Sequence, residues 1–336
     1  MTTHSDKYER LQRTLAGEAP DRVPVAMWRH WPGDDERVAD FARAVIDFQC
    51  VYDWDFIRIQ PASSCCTADY GVQSVRSDGL SGDRMITRWP IGRSLEWTRL
   101  RPLNPQRGEL GKHLAVLEMV REALPEVPLV TTIYSPLAQA RMMAADDAAL
   151  RHLRTQTKRL RQGLEVLTET LLTFITELAH RAIDGVFYVL DAADFSLMAK
   201  EEYARVALPF DRQVIEAFSK KWWLNALELP GPAPMFDFAA SYPLPVLHWD
   251  AQRTSPQLAK AREQASNRVL AAGWSAEAQL YRGTPATIRD IAREQITAME
   301  GRCLILTAGG ALPVGTALSN LRAAREAVEM PQVRQA

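Results

Sequence analysis

Eight short apolar runs, separated by longer segments with helical periodicity, are the feature that most constrains the fold of this chain. Most of the runs are continuously apolar, which is typical of strands in a parallel sheet covered by helices. A regular strand–helix alternation predicts an α/β fold, and eight strands in 336 residues favour a single (β/α)8 TIM barrel over a doubly wound sheet. The predicted strands are residues 23–28, 55–60, 129–134, 185–190, 222–228, 246–250, 268–274 and 303–308.

Helix signals fill the intervals between these runs. Ser255-Pro256 and Thr284-Pro285 each place a capping hydroxyl before a proline in a first helical turn. An N-terminal helix is expected to close the bottom of the barrel or to pack on its side. The predicted helical segments are residues 7–16, 35–48, 145–181 (one helix or two abutting helices), 200–220, 234–241, 255–266, 284–300 and 316–330.

The interval after the second strand does not follow the repeat. Two strand-like pieces, residues 84–90 and 94–101, follow a cluster of Ser, Gly and Asp turn residues. They predict a hairpin insertion near the top of the barrel. We expect one domain over residues 1–336, with the barrel core at about 20–330.

Composition excludes several classes of protein. The formal net charge is −1, so no global field attracts nucleic acid or an anionic membrane. The four cysteines have no C-x-x-C spacing, and no run of 18 apolar residues occurs. The first 13 residues are polar and lack the apolar core of a signal peptide. We therefore expect a cytoplasmic protein with a small-molecule ligand and no nucleic-acid or membrane partner.

An ordered set of motifs resembles the uroporphyrinogen decarboxylase superfamily. It begins with Pro-Asp-Arg-Val-Pro-Val at residues 20–25 and continues through residues 184–191, 201–209, 235–243, 248–250, 272–274, 307–313 and 320–321. The resemblance implies a (β/α)8 barrel, allows a homodimer, and indicates a small-molecule enzyme. The best-known member removes carboxyl groups from porphyrinogens without cofactor or metal. Related branches use a zinc site to transfer methyl groups between corrinoids, thiols and other acceptors.

The end of the first predicted strand carries the first candidate site residues. Decarboxylation without a cofactor requires cations that seat the carboxylates and groups that move protons. The resemblance matches Arg29 to an arginine that grips substrate carboxylates, and Trp28 lies beside it. His30 is able to act as an acid or base near neutral pH. Alternatively, Arg29 pairs with Asp34 or Asp35, and His30 is an ordinary loop residue.

Acidic and histidine residues end two further strands. Asp191 follows the fourth strand, where the family has an aspartate, although it would also suit a helix cap. His248 and Asp250 bracket Trp249, and therefore share one face of the sixth strand. We assign catalytic roles to these three residues and to His30, with His248 as an ordinary core residue being the alternative.

Several polar residues lie just after strands and are candidates for substrate binding, namely Gln60, Ser63, Ser64 and Tyr134. Tryptophans at strand ends would suit a broad aromatic ligand, but they would equally suit packing. The expected activity is cofactor-independent decarboxylation of a carboxylated tetrapyrrole-like or other small organic acid. The alternatives are a corrinoid or thiol methyltransferase and a catalytically inactive ligand-binding barrel.

The sequence departs from both branches of the family. The decarboxylase aspartate after the second strand is absent from residues 60–66, and Gly310 stands near the position of a family histidine. The methyl-transfer branch has His-x-Cys after the fifth strand and a further Cys after the eighth, which hold zinc. Here Glu228-Leu229-Pro230 and Gly310 stand at those positions. We therefore expect no metal and no cofactor.

Overall fold

A parallel sheet of seven strands curls around the centre of the molecule. A computed structural model describes residues 6–239 and 241–329. The strand order is β1-β4-β5-β6-β7-β8-β9, and β2 and β3 form a separate antiparallel hairpin. The strands are β1 (Ile57–Ile59), β2 (Gln73–Val75), β3 (Met85–Arg88), β4 (Leu129–Tyr134), β5 (Gly185–Val189), β6 (Ala226–Glu228), β7 (Val246–His248), β8 (Val269–Trp274) and β9 (Leu304–Ala308).

The segment at residues 23–28 completes the barrel between the two outer strands of this sheet. Val25 pairs in parallel with Leu306 of β9, and the N–H of Ala26 donates to the Leu306 carbonyl at 3.1 Å. On the other side, the N–H of Asp55 donates to the Val25 carbonyl at 3.0 Å. The predicted α/β barrel is therefore confirmed. This segment makes isolated bridges instead of a regular ladder, and Pro24 cannot donate to one.

Helices cover the outside of the barrel. They are α1 (Asp6–Leu15), α2 (Val38–Tyr52), α3 (Cys65–Ala68), α4 (Gly108–Ala123), α5 (Pro136–Met142), α6 (Ala148–Thr155), α7 (Thr157–Ala179), α8 (Lys200–Val206), α9 (Leu208–Glu216), α10 (Phe236–Ala239), α11 (Leu258–Gln264), α12 (Pro285–Ala298) and α13 (Leu318–Glu326). Short 3-10 helices occupy Asp34–Glu36 and Ser94–Arg99, and a π-helix occupies Ala276–Tyr281. None of the helices within the described ranges is long and apolar enough to cross a membrane.

Some helix boundaries differ from the sequence expectations. Thr284 caps α12 as predicted, with its hydroxyl accepting from the Thr287 N–H at 3.3 Å. In contrast, α11 begins at Leu258, after the Ser255-Pro256 pair that was expected to start it. The region 200–220 divides at Pro209, in the first turn of α9. Helix α4 was not predicted, although its buried leucines and valines follow a helical spacing.

The insertion after the second predicted strand is a hairpin, but its strands differ from those expected. Strand β2 pairs with β3, and only β3 overlaps a predicted piece. The second piece, expected as a strand at 94–101, is instead the 3-10 helix at Ser94–Arg99. The Glu96 carboxylate accepts hydrogen bonds from the backbone N–H groups of Gly92 and Arg93, at 2.6 and 2.8 Å. This capping stabilises a helical turn there.

The amino ends of the strands are closed by charged groups with complete sets of partners. We define the amino-end cluster as Arg10, Arg22, Val25 and Asp55. Arg10 of α1 donates to the fully buried Asp55 carboxylate at 2.7 Å. That carboxylate also accepts from both terminal nitrogens of Arg22 and from the Val25 N–H. Helix α1 therefore lies at the bottom of the barrel, one of its two expected positions.

Candidate active site

A buried arginine is the most unusual residue of the barrel interior. Arg58 lies in the middle of β1, and its side chain is almost completely buried. Its Nη2 atom lies 2.5 Å from Glu228 Oε2, and its Nε donates to Thr132 Oγ1 at 3.0 Å. Since Glu228 ends β6 and His248 ends β7, these contacts point toward the carboxyl ends of the strands. We define the carboxyl-end cluster as Arg58, Thr132, Glu228 and His248.

Two aromatic rings enclose the Arg58 guanidinium. Its central carbon lies 4.6 Å from the centroid of Trp28 and 4.3 Å from that of Phe187, within the range of cation–π attraction. The His248 ring lies 5.1 Å from the Trp28 ring. These apolar faces exclude water, which strengthens the electrostatic interactions inside the cluster. Within the described part of the chain, Arg58 Nη1 has no hydrogen-bond partner.

Glu228 is held as a carboxylate by its neighbours. Burial would raise its pKa, but the positive charge of Arg58 and the nearby imidazole of His248 outweigh burial and lower the pKa to about 2. His248 Nδ1 lies 3.4 Å from Glu228 Oε1, while its Nε2 lies 2.9 Å from the Ala308 carbonyl. These contacts fix the orientation of the imidazole between β6 and β9.

A chain of hydrogen bonds connects the carboxyl-end cluster to the inserted hairpin. Thr132 donates to the Gln60 side-chain carbonyl at 3.0 Å, and Gln60 Nε2 donates to the Tyr134 hydroxyl at 3.2 Å. The Tyr134 hydroxyl lies 3.0 Å from Ser63 Oγ, which in turn donates to Asp83 in the hairpin loop. Burial raises the pKa of Tyr134, although the contact with Ser63 opposes this. The phenol therefore remains a neutral donor and acceptor.

His30 lies beside the hairpin end of this chain. It is buried, and its Nδ1 lies 3.8 Å from Asp83 Oδ1. Burial lowers its pKa, with the Asp83 carboxylate opposing this. The imidazole is consequently neutral at pH 7 and able to accept a proton. His30 and Trp28 are two residues apart and both contact interior groups, which agrees with the alternation of an extended segment.

The same alternation places Arg29 on the other side of the segment. Its guanidinium donates to the Val314 carbonyl at 2.9 Å and lies 5.1 Å from the Trp31 ring. Arg29 also lines a surface groove of about 450 Å³ beside α2 and α13. Among the described residues, the hydrogen bonds and ring contact of Arg29 do not reach the carboxyl-end cluster. Its expected role in seating a carboxylate stays a prediction.

Three other predicted site residues belong neither to the carboxyl-end cluster nor to the hydrogen-bond chain connected to it. Asp191 forms an ion pair with Arg141, and burial raises the pKa of its carboxyl although Arg141 opposes this. Asp250 accepts hydrogen bonds from the backbone of Gln252 and Arg253, so it caps a turn, and burial raises its pKa. Ser64 contacts Ser74 of β2 at 2.9 Å.

The strand-end tryptophans divide into two groups. Trp249 and Trp274 are fully buried, and their indole nitrogens donate to the carbonyls of Pro256 and Ile288. They pack between elements, whereas Trp28 covers Arg58. This arrangement favours the packing interpretation of the former two.

Sequence reasoning missed Arg58, Thr132, Glu228 and Asp83. A signal for two of them was available, because charged side chains are rarely fully buried without partners. Arg58 interrupts an apolar run and Glu228 ends another. In two strands that helices cover, such residues must meet an opposite charge inside the barrel.

The zinc site of the methyl-transfer branch does not fit the residues present. Within residues 6–239 and 241–329, no group of three or more His, Cys, Asp or Glu side chains is arranged to hold a metal ion. Glu228 stands at the first ligand position, but its carboxylate is engaged by Arg58. Pro230 and Gly310 offer no side-chain ligand, and Cys65 and Cys66 lie in α3.

Comparisons with known proteins show which family and which relatives this chain resembles. The family model described as uroporphyrinogen decarboxylase (URO-D) matches residues 85–330. The methylcobamide:CoM methyltransferase MtbA of Methanosarcina mazei is 20% identical over 346 residues, covering 96% of this chain and 97% of that protein. MtbA of Methanosarcina acetivorans is 21% identical over 240 residues, covering 66% of this chain and 68% of that protein.

Solved structures agree on the fold. A methyltransferase from Methanosarcina mazei superposes with a TM-score of 0.84 at 18% identity, covering 96% of this chain and 98% of that one. A B12-independent methionine synthase from Shewanella sp. W3-18-1 gives a TM-score of 0.59 at 10% identity, covering 92% and 96%.

The expectation of a decarboxylase is wrong. The curated relatives are methyltransferases, so neither a carboxy-lyase activity nor a place in porphyrin metabolism has support. The alternative of a corrinoid methyltransferase is the one that these relatives favour. The decarboxylase expectation rested on the resemblance to the family alone. The several branches of that family share this resemblance, so it does not distinguish between them.

Proposed function

The chain belongs to the uroporphyrinogen decarboxylase family of enzymes, and we propose that it transfers a methyl group between a corrinoid carrier and a small-molecule acceptor. The observation that carries this proposal is the similarity to Methanosarcina mazei MtbA, which extends over 96% of this chain and 97% of that protein. Such an end-to-end match includes every strand that contributes to the carboxyl-end cluster.

Methyl transfer from a corrinoid makes limited demands on the protein. The acceptor loses a proton and forms a bond to the methyl carbon, while the cobalt–carbon bond breaks and its electron pair stays on the corrinoid. The protein must therefore position the acceptor, take up its proton and exclude water from the reacting atoms. Active sites of (β/α)8 barrels lie at the carboxyl ends of the strands, where this cluster is located.

His30 is suited to take up the proton. Its lowered pKa keeps it neutral at pH 7, and its Nδ1 lacks a hydrogen-bond partner among the described residues. Asp83, 3.8 Å away, would stabilise the imidazolium once it forms. The hydrogen bond between Ser63 and Asp83 holds this carboxylate in place.

The acceptor would lie against the enclosed wall formed by Trp28 and the carboxyl-end cluster. Trp28 and Phe187 exclude water from this wall, and Glu228 stays ionised because of its low pKa. We propose that the acceptor is a small carboxylated molecule, and that Gln60 and Tyr134 help to orient it through their hydrogen-bond chain.

An anaerobic assay with methylcobalamin tests the proposal. Loss of the methylcobalamin absorption spectrum, dependent on protein and on an added thiol such as CoM or another small acceptor, is the expected result. His30→Gln should lower the rate at least tenfold, whereas His180→Gln, at an exposed position, should leave it unchanged. Absence of methyl transfer to every class of acceptor, with the protein folded, would refute the proposed function.

A further inference from the structure

The positive charge at the carboxyl-end cluster comes from the side chain of Arg58. We propose that the site works without zinc and that Arg58 binds a carboxylate of the small-molecule ligand through its Nη1 edge. In naming that ligand as the methyl acceptor, the inference rests on the proposed function. The binding itself, however, requires no methyl donor.

The first support is the exchange of residues at the family's zinc-ligand positions. Glu228, Pro230 and Gly310 occupy these positions, and only Glu228 carries a side-chain oxygen. The Glu228 carboxylate lies 2.5 Å from Arg58 Nη2. A guanidinium placed there supplies a permanent charge, because arginine is not deprotonated in proteins.

The second support is the incomplete set of Arg58 partners. Nε and Nη2 have acceptors, while Nη1 is buried and has none among the described residues. A buried donor without an acceptor is costly and unusual in folded proteins. A carboxylate oxygen supplied by a ligand would complete the set, and a guanidinium matches carboxylate geometry well.

The third support is the apolar surroundings of the guanidinium. Trp28 and Phe187 lie on it, and their rings are buried. A strongly hydrated inorganic anion would lose its water shell there without replacement. An organic carboxylate with a small apolar group would lose less hydration, because only its carboxylate is strongly hydrated. Glu228 competes for the same cation, but it contacts only Nη2.

Isothermal titration of the purified full chain with benzoate and with its neutral analogue benzamide tests this inference. We expect benzoate to bind at least tenfold more tightly than benzamide. Arg58→Met should bring the two dissociation constants within about twofold, while Arg88→Met, at an exposed position on the hairpin, should preserve their ratio. Glu228→Gln should tighten benzoate binding, because it removes the competing charge without removing the arginine.

Two further measurements, benzoate binding by Glu228→Gln and metal analysis, decide whether the inference holds. If Arg58→Met does not fold, the Glu228→Gln result alone decides, since unchanged or weaker benzoate binding in that variant would overturn the inference. Metal analysis should find zinc well below one ion per chain. Stoichiometric zinc, equal binding of benzoate and benzamide, or no binding of benzoate would each overturn it. Failure of the methylcobalamin assay would leave these binding results intact, so the two proposals fail separately.

Discussion

At the amino end of the barrel, the buried carboxylate of Asp55 accepts hydrogen bonds from Arg10, Arg22 and the Val25 backbone. At the carboxyl end, the buried guanidinium of Arg58 leaves Nη1 without an acceptor among the described residues. Both clusters bring opposite charges together inside a parallel barrel. Among the described residues, no buried side-chain nitrogen or oxygen of the amino-end cluster lacks a hydrogen-bond partner.

We interpret this difference as one between charge that stabilises the fold, at the amino end, and charge that is available to a ligand, at the carboxyl end. Asp184 at the amino end follows the pattern of Asp55, since it accepts from Tyr8, Arg121, Trp223 and the Leu129 backbone. At the other end, His30 Nδ1 shares the unpartnered state of Arg58. Buried polar groups without a partner are rare in folded proteins, and a role in binding or catalysis is one explanation for them.

The largest effect on stability is expected from the amino-end cluster. Asp55→Ala leaves two arginines without their buried partner, so we expect the free energy of unfolding to fall by about 3–5 kcal/mol, measured by urea denaturation. Asp53→Ala is the matched control, because Asp53 is largely exposed and its ion pairs should contribute less than about 1 kcal/mol. Equal destabilisation by the two changes would show that the buried carboxylate of Asp55 stabilises the fold no more than the exposed carboxylate of Asp53.

The carboxyl-end pair should behave differently when both members are replaced. Arg58→Met alone leaves Glu228 buried without its cation, which should cost about 3 kcal/mol of unfolding free energy. Replacing both, Arg58→Met with Glu228→Leu, should restore at least about 2 kcal/mol of that loss, because no buried charge remains unpaired. Urea denaturation of the single and double variants measures this coupling. Additive losses would show that the pair stabilises the fold as the amino-end cluster does.

The acid stability of the protein should depend on Glu228. Its pKa is about 2 in the folded state against an ordinary value of 4.5, so its contribution is present above pH 4.5 and is lost as the pH falls toward 2. This shift corresponds to about 3 kcal/mol in total. The unfolding free energy of wild type should therefore fall more steeply than that of Glu228→Gln between pH 5 and 2.5. Parallel curves would contradict a strong charge interaction between Glu228 and its neighbours.

The smallest effect is expected at Tyr134. Tyr134→Phe interrupts the hydrogen bonds to Gln60 and Ser63 and should cost about 1 kcal/mol of stability. Tyr70→Phe is a matched control, since the Tyr70 hydroxyl contacts Thr170 away from the carboxyl-end cluster. Both variants should lose similar stability in thermal denaturation, while only Tyr134→Phe should lower the rate of methyl transfer. Equal rates of methyl transfer in the two variants would show that Tyr134 does not contribute to the active site.

The barrel could be predicted because its strands are buried on both faces and are therefore continuously apolar. Strands β4 and β5 lie almost where the apolar runs placed them. The hairpin was misplaced because an insertion outside the barrel lacks this constraint. The second predicted piece is helical because Glu96 caps a 3-10 turn there, a contact that no periodicity reveals.

The candidate site was predictable only in part. Trp28, His30, Gln60, Ser63, Tyr134 and His248 all lie in the connected network or beside it. Arg29 and His30 are neighbours on an extended segment, so only one of them is able to face the interior. The sequence alone does not set which one. That choice is made by the register of Val25 with Leu306, at opposite ends of the chain.

The seam at residues 23–28 has a consequence for how the protein assembles. This segment pairs with residue 55 on one side and with β9 on the other, and almost the whole chain separates it from β9. Ordering such a distant pair costs loop entropy that the local strand–helix units do not incur. Because the seam carries Trp28 and leads directly into His30, we expect that Arg58 and Glu228 would be more open to water in a chain that lacks β9. We therefore expect the enclosed environment of Arg58 to form late in folding, once residues 23–28 pair with β9.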